Sequence, residues 1–279
     1  MLTDTHCHLF SRYDDKKLKE LLPEVIQNLR FVLDIGTEPN DLQVRLSKAI
    51  NFFGSFENIP DSLRFSVGIW PAVSYIDAPE KSVEILESKL VHLIEMGAKT
   101  AVGECGIDRW WNGKNAKNHK LEQGSENTLG EELLFELQLR LAEKYSLPVI
   151  VHSRDAFAET LKVIDKVGYH NGVIHCYSYG VEEIKPFLER GWYISFSGNC
   201  TFAKTNVKKA ETAELIKALP LEKMLLETDA PYLAPAPFRG KTNTPLLVKY
   251  VYEKVAEVLT IEMDTLSDII FKNAINLFG

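Results

Sequence analysis

The chain reads as an α/β protein of the TIM (β/α)8-barrel type. A single domain is expected over residues 1–279. Two observations predict this. Strand-like apolar runs recur roughly every thirty residues, each followed by a helical pattern. There are eight such runs, the number of parallel strands that closes a barrel. The open doubly wound sheet is the competing architecture, but neither a GxGxxG nor a P-loop pattern is present.

The first run, LTDTHCHL from Leu2, sets His6 and His8 two positions apart, so that in a strand both point to one face. Leu18, Leu22, Val25, Ile26 and Leu29 then follow at helical spacing. RFVLDIGT and LRFSVGIW supply the second and third strands. KTAVGECGI is the fourth and carries Glu104 near its end. The polar stretch WWNGKNAKNHKLEQGSENT, from Trp110 to Thr128, is a long loop expected to overhang the catalytic face. Leu133, Leu137 and Leu141 mark the next helix, and LPVIVHSR, the fifth strand, ends at His152. GVIHCYS carries His175 late in strand six, WYISFSG is strand seven, and MLLETDAPY carries Asp229 late in strand eight. Helical stretches around Leu247 to Leu259 and Leu266 to Phe278 close the chain.

Hydrophobic residues make up 45% and charged residues 25%, the balance of a soluble globular protein. No signal peptide and no membrane span are read from the chain, so a cytoplasmic location is expected. The four cysteines, Cys7, Cys105, Cys176 and Cys200, do not form a disulfide framework. Three of them stand next to metal-competent residues. Strand alternation would turn Cys7, Cys105 and Cys176 toward the surrounding helices as buried thiols. The net charge of −7 argues against a broad basic nucleic-acid groove. Two divalent cations would nonetheless reverse the local charge.

His6, His8, Glu104, His152, His175 and Asp229 thus lie near the carboxyl ends of five strands, which a closed barrel gathers on one rim. Each alone has a plainer reading, as a hydrogen-bonded strand histidine, turn chemistry or a helix cap. Together they are costly polar burial unless something binds there. The set exceeds the three protein ligands usual for one catalytic zinc and suits two ions. His6, His8 and Asp229 are assigned to one ion and His152 and His175 to the other, with Glu104 as the bridge. Lys99 lies at the wrong end of strand four to serve as a carbamylated bridge. A water between two cations loses much of its pKa, and Asp229 could take its proton. Asp229 and Glu104 are therefore the candidate catalytic residues. His92, His119 and His170 are read as surface residues. No nucleophilic serine or cysteine signature is found.

DTHCHL, GECGID, LPVIVHSRDA, HCYS and LLETDAPYLAP resemble the motifs of the TatD-related metal-dependent DNases, among the amidohydrolase-type TIM barrels. The similarity runs from Thr3 to the closing NAINLF. It implies a divalent-metal hydrolase acting on phosphodiesters, commonly a nuclease using magnesium or another divalent ion. Its ligands fall on His6, His8, Glu104, His152, His175 and Asp229. Two departures stand out. Trp70 in VGIWP occupies the place of the family's histidine in Gly-x-His-Pro and offers a stacking surface for a base. RGKTNTP puts Thr242 and Thr244 where the family often has charged residues, weakening an expected hold on a phosphate backbone.

The leading expectation is a DNase that cleaves phosphodiesters, on single strands or at ends, with two divalent ions (Mg²⁺, Mn²⁺ or Zn²⁺) and no obligatory protein partner. Arg154 is a phosphate contact or a salt bridge to Asp155. Arg109, Trp110 and Trp111 could hold a nucleotide by charge and stacking. A small-molecule hydrolase acting on a lactone, amide or phosphoester is the alternative. A non-catalytic metal-binding protein is the third reading, and the retained Asp229 speaks against it.

Overall fold

The computed structural model describes residues 1–114 and 124–279. His119 and the middle of the long loop after the fourth strand, residues 115–123, lie outside the described residues. Eight parallel strands pair in sequence order: β1 Leu2–Cys7, β2 Leu29–Asp34, β3 Leu63–Val67, β4 Thr100–Asp108, β5 Val149–Arg154, β6 Gly172–Ile174, β7 Tyr193–Phe196 and β8 Met224–Leu226. Backbone bonds from His8 N to Ala230 O (2.7 Å) and from Asp229 N to His6 O (2.9 Å) join β1 to the segment after β8. That seam, with an isolated bridge between Cys7 and Ala230, brings the first and last strands together and nearly closes the barrel.

Two clusters divide the core as strand alternation requires. Leu33, Ala101, Ile150, Val173 and Leu225 face inward. Their strand neighbours Val32, Val102, Val149, Val151, Ile174 and Leu226 face outward beneath the helices. The C-terminal helix Met263–Phe278 closes the bottom, where Ala274, Leu277 and Phe278 join the inner cluster. Phe278 stacks on Phe31 at 6.0 Å. The helical stretches expected from the leucine spacing are present, including Asp15–Asn28, Thr128–Tyr145 and Val248–Leu259, except that Leu29, expected in the first of them, instead opens β2. No described helix is long and apolar enough to cross a membrane.

In β4 the inward positions change phase. Ala101 faces in and Val102 faces out, so regular alternation would turn Glu104 outward. The register to β5 shifts between Val102 and Cys105, a bulge that resets the phase. Glu104 and Asp108 then point inward, while Cys105 and Ile107 pack outward. The glycines of GECG permit this. Gly106 has φ +140°, and a Cβ there would lie 1.9 Å from His152 O. The bulge aims the central carboxylate.

Candidate metal centre

Above the inner cluster a cavity of about 830 Å³ opens at the carboxyl ends of the strands. The structure brings His6, His8, Glu104, His152, His175 and Asp229 together there. Only His6, Glu104 and His152 lie within strands. His8 and His175 each sit one residue past a strand end, and Asp229 lies three residues past β8. Asp229 adopts φ +56°, a left-handed conformation that Asp tolerates better than most side chains. Its amide is held by His6 O and its carbonyl accepts from Tyr232 N at 2.9 Å.

The two oxygens of Glu104 face different partners. Oε2 lies 3.4 Å from His6 Nε2 and 3.6 Å from His8 Nε2. Asp229 Oδ1 lies 3.6 and 3.4 Å from the same two nitrogens. Oε1 lies 3.1 Å from both His152 Nδ1 and His175 Nε2, which are themselves 3.3 Å apart. Tetrahedral bonds of about 2.1 Å would set donor atoms about 3.4 Å apart. Both donor sets fall near that spacing, and His6 Nε2 is a buried nitrogen with no hydrogen-bond partner among the described residues. The donor chemistry and this orphaned atom fit divalent cations.

The second donor set is braced from behind. Asp108 Oδ2 sits 2.9 Å from His152 Nε2, and Glu227 Oε1 sits 3.2 Å from His175 Nδ1. Glu227 also accepts a hydrogen bond from Ser195 Oγ. Carboxylates placed on the far nitrogen of a ligating histidine fix its ring and tautomer. Asp108 and Glu227 were missed in the sequence reading. Their signal is a second acid close to the assigned carboxylate in an apolar run, Asp108 beside Glu104 in GECGID and Glu227 beside Asp229 in LLETD.

Charge follows the same geometry. Burial alone would raise the Glu104 carboxyl, but the surrounding histidines, His175 foremost, hold it well below the usual carboxylate range. Burial would lower His152, yet Asp108 and Glu104 push it up to about 9. His175 is raised well above the ordinary imidazole value against its burial, by Glu104 and Glu227. His6 is lowered by burial and by the nearby His175, whose ring stacks on it at 3.9 Å. Beneath them Asp4 accepts from Thr228 N (2.9 Å) and from Thr228 Oγ1 (2.6 Å). Burial pushes its carboxyl up to about 8.

Several expectations around the centre are corrected. Cys176 does not face the helices: β6 has ended, its φ is +47°, and it lines the cavity with Sγ 3.1 Å from Ser197 Oγ. Arg109 is not free for a nucleotide, because it pairs with Glu131, and Glu132 and Glu159 each lie 3.6 Å away. Thr242 and Thr244 are not on the cavity wall. Between them, buried Asn243 donates to Thr228 O (3.0 Å) and Tyr232 O (2.6 Å) and so pins the segment that carries Asp229. Trp70, Trp111 and Arg154 do line the cavity. Trp70 lies 6.2 Å from the His152 ring, and the Arg154 guanidinium stacks on Trp110 at 4.2 Å. His92 and His170 are exposed.

Residues 3–279 match the family model described as TatD related DNase. The chain is 30% identical over 281 residues to the uncharacterized metal-dependent hydrolase YabD of Bacillus subtilis (strain 168), covering 100% of this chain and 99% of that one. It is likewise 30% identical over 285 residues to the uncharacterized metal-dependent hydrolase YcfH of Escherichia coli (strain K12), covering 99% and 95%. Among solved structures, the TatD homolog YjjV from Escherichia coli K12 superposes with a TM-score of 0.76 at 25% identity, covering 99% of this chain and 97% of that one.

Proposed function

This chain belongs to the TatD related DNase family, a metal-dependent hydrolase fold, and we propose that it hydrolyses phosphodiester bonds of DNA with two divalent cations. The observation that carries this reading is the division of Glu104. One oxygen lies beside His6 and His8, which Asp229 also approaches, and the other lies beside His152 and His175. A carboxylate so placed can hold two cations side by side. When bound, the ions supply Lewis acidity toward a phosphoryl oxygen and lower the pKa of water.

The chain's own residues do the rest. His6, His8, Asp229 and Glu104 Oε2 form one donor set, and Glu104 Oε1, His152 and His175 form the other. Asp108 and Glu227 hold the last two rings in orientation. Asp229, at the cavity wall, takes the proton from the attacking water. The water oxygen joins phosphorus as the P–O bond to the leaving oxygen breaks, and that oxygen takes up the proton that Asp229 accepted. Arg154, held against Trp110, presents a cation to the departing or retained phosphate.

The test is hydrolysis of single-stranded DNA labelled at either end, with EDTA, Mg²⁺, Mn²⁺ or Zn²⁺, beside an Asp229→Ala variant. Metal-dependent shortening that the variant abolishes supports the reading and gives the direction of cleavage. No cleavage at enzyme excess with any metal would shift the assignment to lactones and small phosphoesters.

A further inference from the structure

We infer that the loops after β7 and β8 form a track for the sugar-phosphate backbone of a single-stranded nucleic acid leaving the metal centre. The inference deepens the phosphodiesterase reading and rests on it. It starts from where charge is absent. The chain carries a net −7, yet no acidic residue occurs from Arg190 to Ala210, nor again from Ala230 to Tyr252. Those two windows flank the carboxyl ends of β7 and β8, the face on which the metal centre opens.

Within them Lys204, Lys208, Lys209, Arg239 and Lys241 are exposed. None of these five is in an ion pair with a carboxylate among the described residues, unlike the lysines of the outer helices, where Lys144, Lys162 and Lys166 sit on Glu87, Glu132 and Glu136. Unpaired cations gathered against the sign of the whole molecule create a local field that attracts polyanions.

The two loops form one continuous surface with the cavity. Ala236 N donates to Thr201 Oγ1 at 2.8 Å, and the Arg239 guanidinium lies 3.6 Å over the Phe202 ring. Asn199 lines the cavity just upstream of Phe202, and Tyr232 lines it just upstream of Arg239. Tyr232 is 47% exposed, with its ring 5.8 Å from His8. An exposed aromatic ring at the centre, followed outward by cations, is the arrangement that takes stacked bases and a tracked backbone. The opposite wall is different. Glu38 lines it, and exposed Asp77 ends the short helix Val73–Ile76 that carries the lining residues Ser74 and Tyr75, so a polyanion is steered toward the β7–β8 side.

The test measures binding, not turnover. A fluorescein-labelled single-stranded 20-mer is titrated with the full chain in EDTA at several salt concentrations. It is repeated with Lys204→Gln/Lys208→Gln/Lys209→Gln, with the same lysines changed to Arg, and with Lys144→Gln/Lys162→Gln/Lys166→Gln as a charge-matched control. The first variant is expected to weaken binding at least tenfold at low salt, and to flatten the slope of log K against log salt by about 2, from roughly 0.7 per lost contact. The arginine variant and the control should bind as the wild type does. Equal loss in the control, an unchanged salt slope, or no binding of the 20-mer by the wild type would overturn the track. Lysine-dependent binding without cleavage of DNA under any metal would instead leave the track standing and remove the nuclease reading.

Discussion

Asp108 Oδ2 stands 2.9 Å from His152 Nε2, on the side of the ring opposite Glu104. His152 is therefore gripped at both nitrogens, and its tautomer is set by which carboxylate it donates to. Asp108→Asn keeps the size but replaces a full acceptor with an amide. It should weaken metal at the Glu104–His152–His175 set by about 10- to 100-fold. Calorimetric metal titration would check this, and undiminished affinity would show that Asp108 only spaces the loop.

Asp229 has a separate duty. Asp229→Asn should lower kcat by about 10²- to 10⁴-fold, the usual range for removing a positioned base. Metal at the Glu104–His152–His175 set should persist, since the Asp229 carboxylate lies against His6 and His8 rather than against that set. Metal content after dialysis, measured beside kcat, separates these effects. Loss of all metal would mean that the two donor sets fill only together.

Much of this centre was legible because polar residues are conspicuous in apolar strand runs. His6, His8, Glu104, His152, His175 and Asp229 stand out for that reason, and barrel closure places strand ends together. Aim was less legible. Plain alternation in β4 would send Glu104 outward, and only the bulge between Val102 and Cys105 corrects it. Cys176 escaped alternation because the strand stops before it and its φ turns positive. Asp108 and Glu227 act through other side chains, a relation that linear spacing does not display. Arg109 looked available because its partners Glu131, Glu132 and Glu159 lie 22 or more residues away in the chain.

Metal binding should be strongly pH dependent. Without metal, His152 is pushed up to about 9, with its bonds to Asp108 and Glu104 outweighing its burial. At pH 7 it therefore carries a proton that ligation must remove. Affinity at that donor set should rise with pH, by about tenfold per unit for each proton released, and level off above about pH 9. Titrations in buffers of different ionisation heat would count the protons. Zero release at pH 7 would contradict the assigned coordination.

A second buried charge group supports the frame. Arg45 and Asp34 are both fully buried and meet at 2.8 Å, and Arg45 also donates to Ser66 O at 2.7 Å. Phe10 N donates to Asp34 Oδ1 at 2.9 Å, which ties the segment after His8 to β2. Arg45→Met leaves Asp34 without its counter-charge and should cost about 3–5 kcal/mol. The melting temperature should fall on the order of 10 °C. Asp34→Leu/Arg45→Met should recover part of that loss, and a double variant no better than the single would assign the cost to packing.

Trp70 separates the substrate readings. It lies on the cavity wall 6.2 Å from the His152 ring and is half-buried, so it offers a flat surface near the metal centre without being able to ligate. Stacking a base on it would contribute about 1–3 kcal/mol, so Trp70→Ala should lower kcat/KM on an oligonucleotide by roughly 5- to 150-fold. Metal affinity should be unchanged. A phosphoester lacking any base should lose far less, because nothing in it stacks. Parallel kinetics on an oligonucleotide and on a simple aryl phosphodiester make the comparison. Equal losses on both would reduce Trp70 to a wall of the cavity, and base recognition would then fall to Tyr232 and Trp111.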